Sequence, residues 1–482
     1  MASANNLGSL NKTKVTSGFV GSGDTQDYFK FSLGAANAFK LYLTGLGADA
    51  DVQLLNSAGG VITSSTRGGS TGENISLGSL AAGDYYVRVY QFSGDTQYNL
   101  SMSTVDWYDQ NLSDTGLIGQ ARSLYWPDGS LSRKDMISIL REAKDYGSID
   151  ATELGDLRKI VNASTGFAMP DYVRVLANKV VNSDAANPRS GIGNLFAGSS
   201  DTQMERLVGK WFLGNDRPTA ISYDRTTTYS YRYASGSLFQ NGISVQDINQ
   251  NDLGDCYFMA SLGATANHAA GTIQNMFTDN GDGTFTVRFF NNGVADYVTV
   301  DRYLPTNAWG NAVFAGWGGG SNTETDNELW VALAEKAYAQ MNESGWIGQD
   351  NTNSYNGLWT SATAVSSNSA GINGGWPYNA MKQITGRNTS HHDVSWRDWW
   401  SFFITTSTDL DNMVNTYNAG QLVVLNTKDS GTASGIVANH SYTMTGYNPY
   451  TQCFQLYNPW GSSIELTRNQ IVDNFSTWDY TA

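Results

Sequence analysis

Residues 250–263 read Gln-Asn-Asp-Leu-Gly-Asp-Cys-Tyr-Phe-Met-Ala-Ser-Leu-Gly, so that Cys256 begins an apolar run typical of a helix. The Gly-Asp pair directly before the cysteine predicts a turn that leads into this helix. Exposed backbone N–H groups at a helix N-terminus favour an anion. We therefore expect the Cys256 thiol to ionise more easily than a free thiol and to be reactive.

Three further residues complete a pattern around this cysteine. His440 precedes an alternating apolar run, and Asn458 lies in the string Leu-Tyr-Asn-Pro-Trp-Gly. A thiol nucleophile, an imidazole base and an amide that orients the imidazole make up a papain-type catalytic site. Gln250, which precedes Cys256 by one short turn, is placed to donate its side-chain amide to an oxyanion. We expect Cys256, His440, Asn458 and Gln250 to form one catalytic site.

Residues from about 238 to 482 resemble the protease core of the calpain family. The resemblance rests on five motifs in the family's order, at residues 250–262, 298–306, 327–338, 439–446 and 457–461. It implies a papain-like α+β core of two lobes, 238–370 and 371–482, with a break rich in Ser, Asn and Gly near residues 367–375. It also implies a calcium-dependent cysteine endopeptidase that acts on protein or peptide substrates.

The same resemblance implies Ca²⁺ as the cofactor. The carboxylates of Asp247 and Glu328 and the backbone carbonyl of Gly242 fall on ligand positions of the family's first calcium site. Hard oxygen ligands of this kind suit Ca²⁺. Helix-capping roles for the two carboxylates remain an alternative interpretation. Most of the loop that carries the family's second calcium site is missing, because the chain runs almost directly from Trp460 into its last segment, and Glu465 is the one candidate ligand that remains there. The sequence leaves open whether a second site exists.

Residues 1–104 have the pattern of a small β-sandwich. Short alternating segments at 27–31, 39–43, 85–90 and 98–102 are separated by turns rich in Gly, Ser, Ala and Asp. Residues 27–31, 48–55 and 80–87 together resemble the bacterial pre-peptidase C-terminal domain, a jelly-roll-like module. That resemblance implies an accessory domain attached to a peptidase.

Residues 105–237 have a helical texture, with apolar residues at helical spacing in 133–143 and 153–161. Residues 128–136 and 146–154 repeat the second half of an EF-hand loop and end on Asp135 and Glu153. The first halves lack calcium ligands, since Leu124, Trp126, Glu142, Lys144 and Tyr146 occupy those positions. We interpret the repeat as a structural remnant, followed by a polar linker at 225–238. The sequence leaves open whether 105–237 inhibit the core.

Composition excludes several classes of function. The chain has 29 basic and 44 acidic residues, a net charge of −15, which disfavours nucleic acid and anionic membranes as partners. Two cysteines do not make a disulfide framework. The first residues contain neither a basic region nor an apolar core, so we expect no secretory signal. No stretch reaches the roughly 18 apolar residues of a membrane span. We expect a cytoplasmic protein, or one exported without an N-terminal signal.

Two other functions fit part of the pattern. A surface or binding protein could retain the scaffold without catalysis, but such a protein would most often have lost Cys256 or His440. An acyl transferase of the transglutaminase type uses aspartate as its third catalytic residue, whereas this chain has Asn458 followed by Pro and Trp. The cysteine endopeptidase is therefore the favoured interpretation.

Overall fold

The computed structural model describes residues 4–11, 13–34, 36–104, 107–125, 130–145, 147–163, 168–222, 226–356, 371–394 and 406–482. The chain divides into two compact units. The first comprises Met1–Val173 with Phe196–Asp201, and the second comprises Arg174–Leu195 with Thr202–Ala482. The predicted domain boundaries at 104 and 237 stay predictions. Of the predicted features, Trp126, Tyr146 and residues 367–370 lie outside the described residues.

The N-terminal residues form two β-sheets with one shared apolar core. The strands are β1 Asn5–Ser9, β2 Lys14–Val20, β3 Gln26–Leu33, β4 Asn37–Thr44, β5 Asp49–Asn56, β6 Val61–Ser65, β7 Glu73–Leu80, β8 Gly83–Ser93 and β9 Thr96–Ser103. One sheet has the order β1-β3-β8-β5-β6 and the other β2-β9-β4-β7. Phe31 and Phe39, one from each sheet, stack with ring centroids 5.1 Å apart. The four predicted strands lie within β3, β4, β8 and β9, so the predicted β-sandwich is confirmed.

The middle of the chain is helical, as predicted. Its helices are α1 Trp107–Asn111, α2 Thr115–Tyr125, α3 Arg133–Glu142, α4 Ala151–Asn162, α5 Asp171–Val181, α6 Ala186–Arg189 and α7 Asp201–Phe212. The two carboxylates of the internal repeat cap helices. Asp135 accepts a hydrogen bond from the Ser132 backbone N–H at 2.8 Å, and Glu153 accepts one from the Asp150 N–H at 2.6 Å. Both complete capping boxes, which gives these residues a structural role.

The remaining elements build an α+β arrangement. They are β10 Ser230–Tyr233, a 3₁₀ turn at Val245–Asp247, α8 Cys256–Gln274, β11 Phe277–Asp279, β12 Thr284–Asn291, β13 Val294–Asp301, β14 Tyr303–Thr306, α9 Trp330–Asn342, α10 Pro377–Thr385, β15 Thr389–Asp393, α11 Thr406–Asn418, β16 Val423–Thr427, β17 Ser441–Asn448, β18 Cys453–Asn458, β19 Ser462–Thr467, α12 Arg468–Asn474 and β20 Phe475–Thr481. Strands β11-β12-β13 form a small antiparallel sheet, and β15-β20-β16-β17-β18-β19 form a six-stranded sheet.

Close packing between α8 and the six-stranded sheet sets the position of the cysteine. The Thr443 hydroxyl on β17 donates to the carbonyl of Ala260 at 2.8 Å. Gly263 permits this approach, because a Cβ atom there would lie 2.7 Å from the Thr443 hydroxyl oxygen. The N-terminal end of α8 is thereby held beside the start of β17, where His440 lies.

The structure differs from the expected linker at 225–238. Residues Ser230–Tyr233 form strand β10, which pairs antiparallel with β14. The tyrosines at 229, 231 and 233 alternate with polar residues, which is the two-residue period of a strand. The polar composition of the stretch concealed this period.

Two further expectations concern cysteines and membranes. Cys256 and Cys453 are both free, in agreement with the expected absence of a disulfide. Of the described helices, none combines the length and apolar character that crossing a bilayer requires.

Candidate active site

Cys256 is the first residue of α8, as predicted, and it is half-buried. The preceding turn is tightly built: the Gly254 N–H donates to Asn373 Oδ1 at 2.8 Å, and a Cβ at Gly254 would lie 2.2 Å from that oxygen. A side chain at Gly254 would have to displace the Asn373 side chain and would disturb this hydrogen bond. The Asp255 carbonyl accepts from the Phe258 N–H at 2.8 Å, which begins the helix immediately after the turn.

His440 and Asn458 lie at the ends of two paired strands. His440 directly precedes β17 and Asn458 is the last residue of β18, its antiparallel neighbour. His440 Nε2 lies 2.8 Å from Asn458 Oδ1. Because the amide oxygen can only accept, the imidazole proton belongs on Nε2, which leaves Nδ1 free to take a proton. Asn458 therefore fixes the tautomer that a general base requires.

The backbone and an aromatic ring hold the imidazole in place. The Thr427 hydroxyl accepts from the His440 N–H at 2.9 Å, and the Thr427 N–H donates to the His440 carbonyl at 2.9 Å. The Trp460 ring lies 4.9 Å from the His440 ring, centroid to centroid, and is half exposed. The Trp460 N–H also donates to Asn458 Oδ1 at 3.0 Å.

Cys256 and His440 line one cleft of about 830 Å³. Ser441 lies beside them, while Gly375 and Trp376 line another part of the same wall. A cleft of this size accommodates several residues of an extended peptide. The cysteine and histidine thus face a common space in which a substrate carbonyl could reach both.

The protonation states differ from the expectation of an easily ionised thiol. Burial, with a smaller contribution from the negative charge of Asp255, raises the pKa of the Cys256 thiol to about 11. Hydrogen bonds from Ser441 and from the Tyr257 N–H lower that pKa but do not offset the burial. Burial also lowers the pKa of His440. In this arrangement the thiol and the imidazole are both neutral, because desolvation outweighs the helix N-terminus.

Gln250 is buried and its amide is turned into the protein. Its Nε2 donates to the Leu253 carbonyl and, at 3.2 Å, to Asp255 Oδ1. Its backbone N–H donates to the Pro459 carbonyl at 2.7 Å, which connects the cysteine turn to the loop after Asn458. The predicted role as oxyanion donor stays a prediction, since it requires one amide hydrogen to leave its present acceptor.

The two carboxylates among the predicted calcium ligands lie near each other. The negative charge of Asp247 raises the pKa of Glu328, so the two carboxylates share one region. Asp247 Oδ2 accepts from the Ser244 N–H at 2.7 Å, and Glu328 Oε1 accepts from the Gln240 N–H at 2.8 Å. Burial raises the pKa of Glu328 to about 7 and also raises that of Asp247. Two adjacent, partly desolvated carboxylates are a suitable donor set for a hard cation.

The acidic residues around this region are few. Gly242 is exposed and has φ of 97°, on the loop that leads into the 3₁₀ turn. Among the described residues, no group of three or more His, Cys, Asp or Glu side chains has a metal-binding arrangement. A cation here would need backbone carbonyls such as that of Gly242, and water, to complete its coordination.

Comparison with known proteins identifies the family to which the chain belongs. A profile described as calpain family cysteine protease matches residues 212–482, more than half of the chain. The chain belongs to the calpain family. A second profile, the bacterial pre-peptidase C-terminal domain, matches residues 25–91. Both resemblances inferred from the sequence are therefore confirmed, and the calpain match begins ahead of the predicted core start at 238.

The individual relatives of this calpain-family chain are distant. Calpain clp-4 of Caenorhabditis elegans is 26% identical over 243 residues, which cover 48% of this chain and 30% of that protein. Calpain-type cysteine protease DEK1 of Zea mays is 30% identical over 141 residues, covering 29% of this chain and 6% of that protein. The chain spans less than a third of the length of these relatives. A solved pre-peptidase C-terminal domain of collagenase from Bacillus anthracis is 21% identical with a TM-score of 0.19, covering 21% of this chain and 94% of that one.

Sequence reasoning missed two features of this calpain-family site. Ser441 contributes hydrogen bonds to Cys256, and only its position next to His440 could have indicated this. Glu335 contacts Asp255 across a long sequence separation. Its signal was a carboxylate directly after the apolar run Trp330–Ala334 in α9.

Proposed function

We propose that the chain is a calcium-dependent cysteine endopeptidase in which Cys256 is the nucleophile, His440 the general base and Asn458 its orienter. The observation that supports this most strongly is the 2.8 Å contact between His440 Nε2 and Asn458 Oδ1 beside a cleft that Cys256 also lines. A histidine with its tautomer fixed, facing a thiol, is suited to acyl transfer.

The proposed chemistry proceeds in two steps. His440 takes the Cys256 thiol proton, and the thiolate attacks the carbonyl carbon of the scissile peptide bond. The imidazolium then gives this proton to the amine as the C–N bond breaks, which leaves a thioester on Cys256. Water, deprotonated by His440, attacks the thioester, and the carboxylic acid product leaves as the thiol is restored. Gln250 and the Cys256 N–H would donate to the oxyanion in both steps.

The resting geometry indicates that catalysis needs a rearrangement. The Cys256 pKa of about 11 and the lowered pKa of His440 disfavour transfer of the proton between them. Trp460, packed against the imidazole, must leave room for a substrate chain. A conformational step that brings the thiol to His440 Nδ1 would therefore precede chemistry, as in many enzymes that assemble their site on activation.

Calcium is the proposed trigger for that step. Asp247 and Glu328 would bind the ion through carboxylate oxygens, with Gly242 contributing its carbonyl. Asp247 also accepts from Trp330 Nε1 at 3.1 Å, so the site touches the first residue of α9. Neutralising two adjacent carboxylates would relieve their repulsion and tighten the segment between Gly242 and Cys256.

We also propose that the enzyme processes itself, releasing the β-sandwich and the helical segment. The candidate stretches are 185–200 and 218–237. Ser230–Tyr233 is paired with β14, whereas Phe196 and its neighbours up to Gly198 are exposed, which favours cleavage in 185–200. The competing proposal is a catalytically silent binding protein on this scaffold. A measurement of peptidase activity distinguishes it from the endopeptidase.

Casein hydrolysis tests the proposed function directly. Wild type should release peptides in millimolar calcium and little in excess chelator, and Cys256→Ala should release none in either condition. Equal activity of wild type and Cys256→Ala would remove the nucleophile assignment. Full activity in chelator would refute the calcium requirement, but the assignment as an endopeptidase would stand. No turnover by a folded wild type would favour the silent scaffold.

A further inference from the structure

A buried pair of carboxyl groups lies directly behind the nucleophile. Asp255 precedes Cys256, Glu335 lies on α9, and they are 0% and 1% exposed. The two carboxyl groups are within hydrogen-bonding reach of each other. Asp255 does not cap α8 with its side chain, and its Oδ2 accepts no N–H or hydroxyl hydrogen from the described residues. Two ionised carboxylates in such contact would repel strongly, so a proton must lie between them.

The titratable residues that interact with the pair, within the described part of the chain, supply no compensating positive charge. Those residues are Tyr231, Cys256, Tyr257, Tyr338 and Tyr355, all of which are neutral when protonated. Lys336, the next residue after Glu335, is bonded instead to Asp301 and to the Tyr303 carbonyl. Burial accordingly raises the pKa of Asp255 to about 7 and raises that of Glu335 well above its usual range.

The pair is connected to the groups that catalysis would use. Asp255 Oδ1 accepts from Gln250 Nε2 at 3.2 Å, and the Asp255 carbonyl accepts from the N–H groups of Phe258 and Met259 in the first turn of α8. Glu335 accepts from the Ala315 N–H at 3.0 Å, which fixes its carboxyl group from the other side. A change in charge at this pair therefore acts on the cysteine turn and on the Gln250 amide together.

We propose that Asp255 and Glu335 share one proton and act as positioning residues that hold the Cys256 turn and the Gln250 amide in place. The role in catalysis rests on the proposed peptidase function. While Glu335 carries the proton, it donates to Asp255, and the Asp255 carboxylate accepts from Gln250. When the proton is lost, a second negative charge in the same dry space pushes the side chains apart and displaces the turn.

The direction of the pH effect follows from linkage. Free carboxyl groups in an unfolded chain titrate near about pH 4. The folded protein therefore binds more protons than the unfolded chain above that pH. The stabilising contribution of the pair is fully present below about pH 4 and is lost as pH rises through about 7 and beyond.

Three variants of the full-length protein test the pair. Glu335→Gln keeps a donor toward Asp255 and an acceptor for Ala315 but has no proton to lose. Glu335→Ala removes the donor. Glu343→Gln is the matched control, since Glu343 follows the same helix and is equally buried, but it is paired with Lys210. The measurements are kcat/KM for a fluorogenic peptide, urea midpoints and the alkylation rate of Cys256 by iodoacetamide, each from pH 5 to about 10.

The shared proton predicts a distinct result for each variant. Glu335→Ala should lose about tenfold to about hundredfold in kcat/KM, the effect of an unsatisfied buried carboxylate of about 1–3 kcal/mol. Glu335→Gln should recover most of that loss near pH 7. It should also flatten the decline of the urea midpoint with pH and move the alkaline fall of activity upward by about one pH unit or more. Glu343→Gln should change the pH dependence of the urea midpoint, because burial also raises the pKa of Glu343 to about 7. It should leave the shape of the pH profiles of kcat/KM and of Cys256 alkylation unchanged, because Glu343 is paired with Lys210 and not with Asp255.

Several outcomes would refute the proposal that Asp255 and Glu335 share a proton. If Glu335→Gln kept the wild-type pH dependence of both urea midpoint and Cys256 alkylation, no proton would be shared. If Glu335→Ala matched Glu335→Gln in activity, no donor to Asp255 would be needed. A wild type that cleaves no peptide would refute the proposed function. The pH profiles of the urea midpoint and of Cys256 alkylation, compared between wild type and Glu335→Gln, would still show whether the pair shares a proton.

Discussion

Replacing Asn458 by alanine isolates the contact on which the proposed site depends most. The substitution removes the oxygen that lies 2.8 Å from His440 Nε2 and 3.0 Å from the Trp460 N–H. Both side chains of the catalytic contact are buried, at 7% and 6% exposure, so water does not replace the lost acceptor fully. An unsatisfied buried donor costs about 1–3 kcal/mol.

That cost converts to a defined loss of rate. At about 1.4 kcal/mol for each factor of ten, Asn458→Ala should lower kcat/KM by about tenfold to about hundredfold. The loss should fall mainly on kcat, because Asn458 orients the imidazole and exchanges no proton with the substrate. The assay is steady-state hydrolysis of a fluorogenic peptide in saturating calcium.

A matched control separates orientation from stability. Asn474 is also a buried asparagine in the last third of the chain, where its Nδ2 donates to the Gln470 carbonyl at 2.8 Å and its Oδ1 accepts from the Ala433 N–H. Asn474→Ala should lower the urea midpoint but leave kcat/KM of the folded enzyme near wild type. An Asn458→Ala enzyme within about twofold of wild type, or one as inactive as Cys256→Ala, would refute the orienting role.

Three further predictions concern the nucleophile, calcium and processing. Cys256→Ala should lower kcat/KM for casein-derived peptides by more than about a thousandfold, and higher residual turnover would point to another nucleophile. Glu328→Gln should raise the calcium concentration at half-maximal activity by about tenfold, because one of two carboxylate ligands is lost. Glu324→Gln, in an exposed loop, should leave that concentration unchanged. If Glu324→Gln and Glu328→Gln required the same calcium concentration, Glu328 would not be a calcium ligand. In calcium, mass spectrometry should find new N-termini of the wild type within 185–200 or 218–237, while Cys256→Ala stays full-length. If the wild type degrades casein but stays intact, the N-terminal half is a permanent part of the enzyme and not a propeptide.

The sequence predicted those parts of the fold that local patterns determine. Strict alternation in residues 27–31 and 85–90 predicted strands, because one face of each is buried in the sandwich core. The turn before Cys256 predicted a helix start, since the apolar run after it could only be buried as a helix. The order of Cys256, His440 and Asn458 predicted a shared site, and the structure places the first two in one cleft with the third bonded to the histidine.

Features that depend on tertiary packing could not be predicted in this way. The raised pKa of Cys256 arises from burial, which the helix-terminus argument did not include and which the hydrogen bonds from Ser441 do not offset. The direction of the Gln250 amide depends on Asp255, whose own charge depends on Glu335 on another helix. Strand β10 was missed because its pairing partner β14 lies far along the chain, so that a polar stretch gained structure from a distant neighbour.

Labelling with an active-site reagent shows whether His440 activates the Cys256 thiol, because the chain contains its own control thiol. Cys256 and Cys453 are both free and half-buried, but only Cys256 shares a cleft with His440. The protein is incubated with a peptidyl epoxide in calcium or in chelator, and the labelled residue is identified by mass spectrometry. We predict stoichiometric label on Cys256 in calcium, loss of that label in chelator and in His440→Ala, and little label on Cys453 throughout. Label that divides equally between the two cysteines, or that persists on Cys256 in His440→Ala, would contradict a thiol activated by this histidine.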